Sequence, residues 1–187
     1  MATSPFNIIA GPAEVFVAPV GTAFPAINTD PPGGNWLSLG VTEGGISVAH
    51  RQTVDLLSVD QSTGPRKAIR SEEGLEVSFS LAALTLENYR RALNGATVTT
   101  GGSPETHSLK MYQGLDVSQY ALLIRGPSPY MSAYMQYEVP VAVETGDAEL
   151  TFMRNDKSVL TVQFTALEDP NAATTADRFG TLRARST

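Results

Sequence analysis

The sequence predicts a mainly β protein, an antiparallel β-sandwich or barrel-like fold with one short flanking α-helix, a long protruding loop and extended terminal arms. Three observations carry that expectation. Short runs of alternating apolar and polar residues recur across residues 13–167, the period-two signature of strands with one buried face. The 16 Gly and 12 Pro fall mostly between those runs, where turns need them. Only one stretch carries helix start and stop signals.

Residues 1–12, with Pro5 and Pro12, read as an N-terminal arm. Residues 13–18 (AEVFVA) form a first strand, ended by Pro19. A long irregular loop follows, marked by Pro25, Pro31, Pro32, Gly33 and Gly34. Residues 36–41 (WLSLGV) alternate as a strand; Gly44-Gly45 breaks it, and residues 46–50 continue it or pair with it. Residues 54–59 are another strand, and residues 60–72 a long polar loop with turn chemistry at Ser62, Gly64 and Pro65. Leu75, Val77, Phe79 and Leu81 then alternate with Glu76, Ser78 and Ser80 in a strand with one buried face.

Thr85 is a good N-cap, Glu87 suits the positive first turn and Gly95 the C′ position, so a helix is expected over residues 86–94. Its apolar residues Leu86, Tyr89, Ala92 and Leu93 share a face that should lie on the sheet. The Gly/Thr-rich residues 96–106 read as a mobile connection. Residues 107–112 and 120–125 are short strand candidates, and residues 130–143 a long one whose Pro140 implies an edge or a bulge. Residues 148–153 and 158–167 make the best hairpin pattern, turning at Arg154-Asn155-Asp156-Lys157. Periodicity is lost over residues 168–187, which read as a C-terminal arm.

Cysteine is absent, which excludes disulfides and thiolate metal sites. A hydrophobic fraction of 42% is enough for a real core. No apolar run approaches the ~20 residues of a spanning helix, so no membrane insertion is expected. The first residues lack the charged n-region of a secretion signal, which points to synthesis in a cytoplasm. The net charge of −6 disfavours tight wrapping of nucleic acid. It is compatible with ordinary solubility, or with acidic and basic faces that meet between copies.

Catalytic chemistry is scarce. His50 and His107 are the two histidines, and neither is followed at zinc-site spacing by another His or a carboxylate; both read as solvated strand-end residues. Neither G-x-S-x-G nor G-x-x-x-x-G-K-[ST] occurs. The carboxylate pairs Asp55/Asp60, Glu72/Glu73 and Glu138/Glu144 fit no cation-binding pattern and read as an acidic surface. No enzyme activity and no cofactor is expected.

The basic stretch Gly64-Pro65-Arg66-Lys67-Ala68-Ile69-Arg70 has no interleaved aromatics, so a stacking platform for single strands is disfavoured. Contact with a neighbour's carboxylates suits Arg better, and a plain solvated loop stays open. Tyr130, Tyr134 and Tyr137 with Met131 and Met135 fit burial within one chain as well as burial between protomers.

The segment QSTGPRKAIRSEEGLEVSFSLAALTLENYRRALNG resembles the tail tube (major tail) proteins of long-tailed bacteriophages. The early AEVFVAPVGTAFP, the following NWLSLGVTEGGISV and the late SVLTVQFTAL add to the resemblance, which covers most of residues 13–167 as a tail-tube β domain. It implies a virion structural protein, assembled in the host cytoplasm and related to the tube proteins of contractile injection systems. Six copies would join their sheets into a ring, and stacked rings would form a hollow tube through which DNA is ejected.

On that resemblance the partners are the chain itself, a tape-measure protein, and tail-terminator or tail-tip proteins, with DNA passing unbound. Gln61, Ser62, Gly64, Pro65, Arg66, Lys67 and Arg70 would form the inter-subunit loop. Arg178, Phe179, Arg183 and Arg185 would belong to a clamping arm, while Glu138, Glu144, Asp147 and Glu149 are candidates for an acidic lumen. The alternative from another class is a β-sandwich that recognises carbohydrate or a receptor. A sugar platform needs exposed aromatics over a polar groove, and the single Trp36 sits between apolar neighbours. A hydrolase with a hidden triad ranks third.

Overall fold

Alternation along the chain resolves into one antiparallel sheet of eight strands in the computed structural model, which describes residues 9, 11–29, 32–82, 85–92, 97–112, 114–129, 134–150, 152, 154 and 157–185. The strands are β1 (Glu14–Pro19), β2 (Leu37–Ser38), β3 (Thr42–Leu57), β4 (Lys67–Leu81), β7 (Gln119–Pro127), β8 (Tyr134–Glu144), β9 (Leu160–Ala166) and β10 (Thr181–Ala184). Their order is β2-β1-β7-β8-β9-β4-β3, with β10 also on β8. Helix α1 (Leu86–Ala92) and the two-stranded ribbon β5 (Val98–Gly101) and β6 (Thr106–Leu109) complete the set. The fold is mainly β, antiparallel and with one short helix, as expected.

The core lies on one face of the sheet. Val15 and Val17 of β1, Val77, Phe79 and Leu81 of β4, Leu122 and Ile124 of β7 and every second residue of β9 form one buried cluster. No second large sheet covers that face among the described residues. Burial so complete therefore requires the sheet to wrap around its own core. Phe164 sits at the centre, stacked on Phe79 at 6.2 Å and met edge-on by Tyr120 at 6.5 Å. Burying such a ring contributes about 1.5–3 kcal/mol. On the opposite face, Phe16, Ala18, Ala121 and Leu123 pack with Trp36, which tilts on Phe24 and donates from Nε1 to the Ala23 carbonyl at 3.0 Å.

Several expectations are corrected. Gly44-Gly45 does not end a strand. Its positive φ angles (+74° and +91°) form a bulge between Glu43 and Ile46, and β3 runs on for 16 residues. Of residues 36–41 only Leu37–Ser38 pair as strand. Residues 96–106 include ribbon strand β5, not merely a connection.

The hairpin expected between residues 148–153 and 158–167 is absent among the described residues. One bridge, Leu150–Leu160, joins them, because β9 spends its ladder on β4 and β8. Asn155 and Asp156 of the expected turn, like residues 1–8 and Tyr130 and Met131, lie outside the described residues.

Pro140 lies in a bulge, one of the two settings expected for it, but β8 is not an edge. Pro140 falls where β8 changes partners on one side, from β10 at Met135–Glu138 to β9 at Ala142–Glu144. A missing N–H costs least at such a gap.

Helix α1 begins as predicted, with the Asn88 amide donating to Thr85 Oγ1 at 3.2 Å. Its buried side is different. Leu86 is exposed, whereas Asn88 is buried and donates from Nδ2 to the Leu39 carbonyl at 2.8 Å. Tyr89 packs on the core as expected, while Leu93 and the expected C′ residue Gly95 lie outside the described residues.

A candidate assembly surface

The long polar loop is corrected to a β-hairpin. β3 and β4 pair from Thr42–Leu81 out to Leu57–Lys67, so Lys67 and Arg70 are strand residues and only residues 58–66 form the tip. Gln61, Ser62, Gly64, Pro65 and Arg66 do lie in that turn. It is closed by the Ser62 amide on the Val59 carbonyl (3.0 Å) and the Arg66 amide on the Leu57 carbonyl (2.8 Å).

On its other side β4 pairs with β9 only from Glu76 to Leu81. Residues 67–75 thus have no second neighbouring strand among the described residues, and the hairpin projects past the sheet by roughly 30 Å at about 3.4 Å per residue.

The base of the projection is polar. His50 Nε2 and Glu73 Oε1 are 2.8 Å apart, and Arg70 donates to Glu73 Oε2 at 3.0 Å. The His50 bond, then that from Arg70, holds the Glu73 carboxyl below its ordinary range. His50 is therefore no strand-end residue; it faces a hollow of about 290 Å³ between the hairpin base and residues 176–182. Arg51 donates to Glu76 at 2.6 Å. Farther out the surface turns apolar: Val54, Leu56, Leu57, Val59 and Ile69 are all at least 43% exposed. Val54 and Leu56 lie on one face of the ribbon and Leu57 and Ile69 on the other, so both faces of the projecting hairpin expose apolar side chains, as a binding surface does.

The tail expected to lack regular structure folds back. Thr175–Asp177 form a 3-10 turn, and β10 pairs with β8. Arg178 pairs with Glu168 at 2.8 Å, Phe179 packs on the core and Arg183 pairs with Glu138 at 3.2 Å, all within the chain. The Arg185 amide donates to the Tyr134 carbonyl at 3.1 Å, while its side chain is exposed. Gly180, at φ +107°, has no room for a side chain: a Cβ would overlap the Glu138 carbonyl.

The acidic set divides. Asp147 and Glu149 are exposed, but Glu138 and Glu144 are 3% and 5% exposed, so these two are not surface acids in this chain. Glu138 accepts from Gln136 Nε2 at 2.6 Å and pairs with Arg183. Gln136 in turn accepts from Arg125, whose guanidinium also holds the Thr29 and Ala26 carbonyls. Glu144 accepts the Gly146 amide at 2.9 Å, and burial pushes its carboxyl above the ordinary value. His107 sits on the β5–β6 ribbon, with Nδ1 2.9 Å from Thr100 Oγ1.

Sequence reasoning missed the His50–Glu73 and Arg51–Glu76 pairs. Counting outward from a hairpin tip would not have found them, because a bulge between Thr53 and Val54 shifts the register and both pairs are diagonal. Among the described residues no group of three or more His, Asp or Glu is placed to hold a metal ion, and no helix is long and apolar enough to cross a membrane.

The site is thus a projecting hairpin on an antiparallel sheet, with exposed apolar residues mainly on its outer arms. The chain matches the phage tail tube protein family over residues 2–177 and belongs to it. It is therefore a structural protein of a virion tail. A chain in the six-fold symmetrised cryo-EM structure of the anti-feeding prophage baseplate is similar in fold. The TM-score is 0.50 at 9% identity, covering 100% of this chain and 98% of that one. No curated protein matches this chain.

Proposed function

We propose that this chain polymerises as stacked hexameric rings that form the hollow tail tube, through which DNA is ejected. Family membership supports the tube. The hairpin carries the reading: its distal apolar residues and its unpaired β4 edge lack partners in the described chain, and a second copy can supply them. A closed ring satisfies such edges without open-ended aggregation. The exposed side chains of β10, with Arg185, face outward for neighbouring copies, and residues 1–12 serve as a further arm in this scheme. The tape-measure protein and the tail-terminator or tail-tip proteins are the expected further partners, and assembly takes place in the host cytoplasm.

DNA passes a net-acidic polymer without specific binding, helped by like-charge repulsion. Asp147 and Glu149 remain the exposed acids proposed for the lumen. Negative-stain microscopy of the purified chain tests the reading. Rings or tubes of uniform diameter with six-fold class averages support it; small monodisperse particles at every concentration contradict it.

A further inference from the structure

Three neighbouring strands set one polar residue each in a single row. Arg125 of β7 stands opposite Gln136 of β8, and Gln136 stands opposite Arg183 of β10. Residues opposite each other in antiparallel strands share a face, and the loop after β1, residues 20–29, closes over this row. Arg125 is 4% exposed and Gln136 has no exposed surface. The Arg125 guanidinium donates to the Thr29 carbonyl, to the Ala26 carbonyl at 3.3 Å and to Gln136 Oε1 at 2.9 Å. Each of these oxygens is neutral, and Nε has no partner among the described residues.

The anion of the network is buried Glu138, one step removed. Gln136 Nε2 donates to Glu138 Oε1 at 2.6 Å and to the Pro25 carbonyl at 3.2 Å. Gln136 thus joins a buried cation, a buried anion and the loop backbone. Glu138 steadies Arg125 through that amide strongly only while both stay out of water, because a low dielectric strengthens each link. Arg183 keeps the water out: it pairs with Glu138 Oε2 at 3.2 Å, and its register opposite Gln136 sets its stem beside the open end of the row. Little else fastens β10, whose four residues are all exposed and which pairs only with β8 among the described residues.

We propose that β10 and the loop over residues 20–29 are coupled through this row, so that lifting β10 wets Gln136 and Glu138 and loosens the loop. Both segments are seated on the same buried pair, so each holds the other closed, and the coupling is reciprocal. It is a property of the single chain and stands apart from polymerisation.

The loop carries its own reporters. Trp36, the single Trp, is buried, tilted on Phe24 at 5.2 Å and donates from Nε1 to the Ala23 carbonyl at 3.0 Å. The Thr29 amide donates to the Ala26 carbonyl at 2.9 Å. In full-length Arg183→Ala, hydrogen exchange of the Trp36 indole and Thr29 amide, followed by NMR, should quicken about tenfold, a usual size for coupling within one network. The melt should stay cooperative, because the Arg183 side chain is largely exposed. Arg178→Ala breaks the Glu168 pair in the same tail and should leave both protons as they are. Glu138→Gln keeps an oxygen for Gln136 but removes the charge, so it should loosen the loop by itself. Adding Arg183→Ala to it should then change exchange by less than about twofold.

Unchanged exchange at Trp36 and Thr29 in Arg183→Ala overturns the proposal, as does an equal rise in Arg178→Ala. A step of undiminished size from Arg183→Ala in the Glu138→Gln chain also overturns it, since the effect then travels by another route. Loss of the cooperative melt in Arg183→Ala does so too, because the coupling is local.

Discussion

His50 and Glu73 meet diagonally across the β3–β4 ladder, Nε2 to Oε1 at 2.8 Å, where the hairpin leaves the sheet. With Arg70 also on Glu73, this cluster separates the wrapped core from the exposed apolar outer hairpin. It lets the two arms stay paired after β9 has ended.

That cluster has a pH signature. The folded Glu73 carboxyl titrates below its ordinary value of 4.5, so its contribution is present above that value and is lost as pH falls through the folded pKa. Glu73→Gln should flatten the acid limb of a Tm-against-pH curve and change little near neutrality, where an exposed pair is worth little. An unchanged acid limb contradicts this assignment.

Glu144 has the opposite sign. Burial raises its folded pKa, so the charged form costs stability above that pKa, and the cost fades as pH falls through it. Glu144→Gln keeps an oxygen for the Gly146 amide and removes the buried charge. Its Tm should exceed wild type at neutral pH and converge with it on acidification, as scanning calorimetry would read.

Phe164→Ala removes the ring between Phe79 and Tyr120 at a site only 1% exposed. A loss of about 3–5 kcal/mol is expected in denaturant titration. A loss under about 1 kcal/mol, in the range typical of surface changes, contradicts the central place given to this ring.

Gly180→Ala forces a Cβ onto the Glu138 carbonyl and should lift β10 from β8. Amides of Thr181–Ala184 should lose hydrogen-exchange protection while those of β9 keep theirs. Retained protection at β10 contradicts its dependence on that close approach.

The legible elements were those that bury one face. Val77, Phe79 and Leu81, and Leu160, Val162, Phe164 and Ala166, announce β4 and β9 because every second residue enters the core. The first arm of the outer hairpin was read as a strand over residues 54–59, but the second hid because residues 67–73 are exposed on both faces, and nothing selects a period there. β10 was invisible for a related reason: all four of its residues are exposed, and its pairing to β8 runs through the backbone. Glu138 and Glu144 read as surface acids because Arg183 and Gly146, which accommodate them, do so by tertiary placement and not by spacing. Helix α1 misled because the Leu39 carbonyl takes Asn88 into the interface ahead of Leu86.

Self-association through the hairpin is tested most directly by shortening it. Thr53 and Glu72 are cross-strand partners, so residues 54–71 can be replaced by Asn-Gly, a two-residue turn matched to strand twist. The account predicts a chain that keeps a cooperative melt but sediments as a monomer at concentrations where the intact protein forms rings or tubes. Normal tubes from the shortened chain would contradict it.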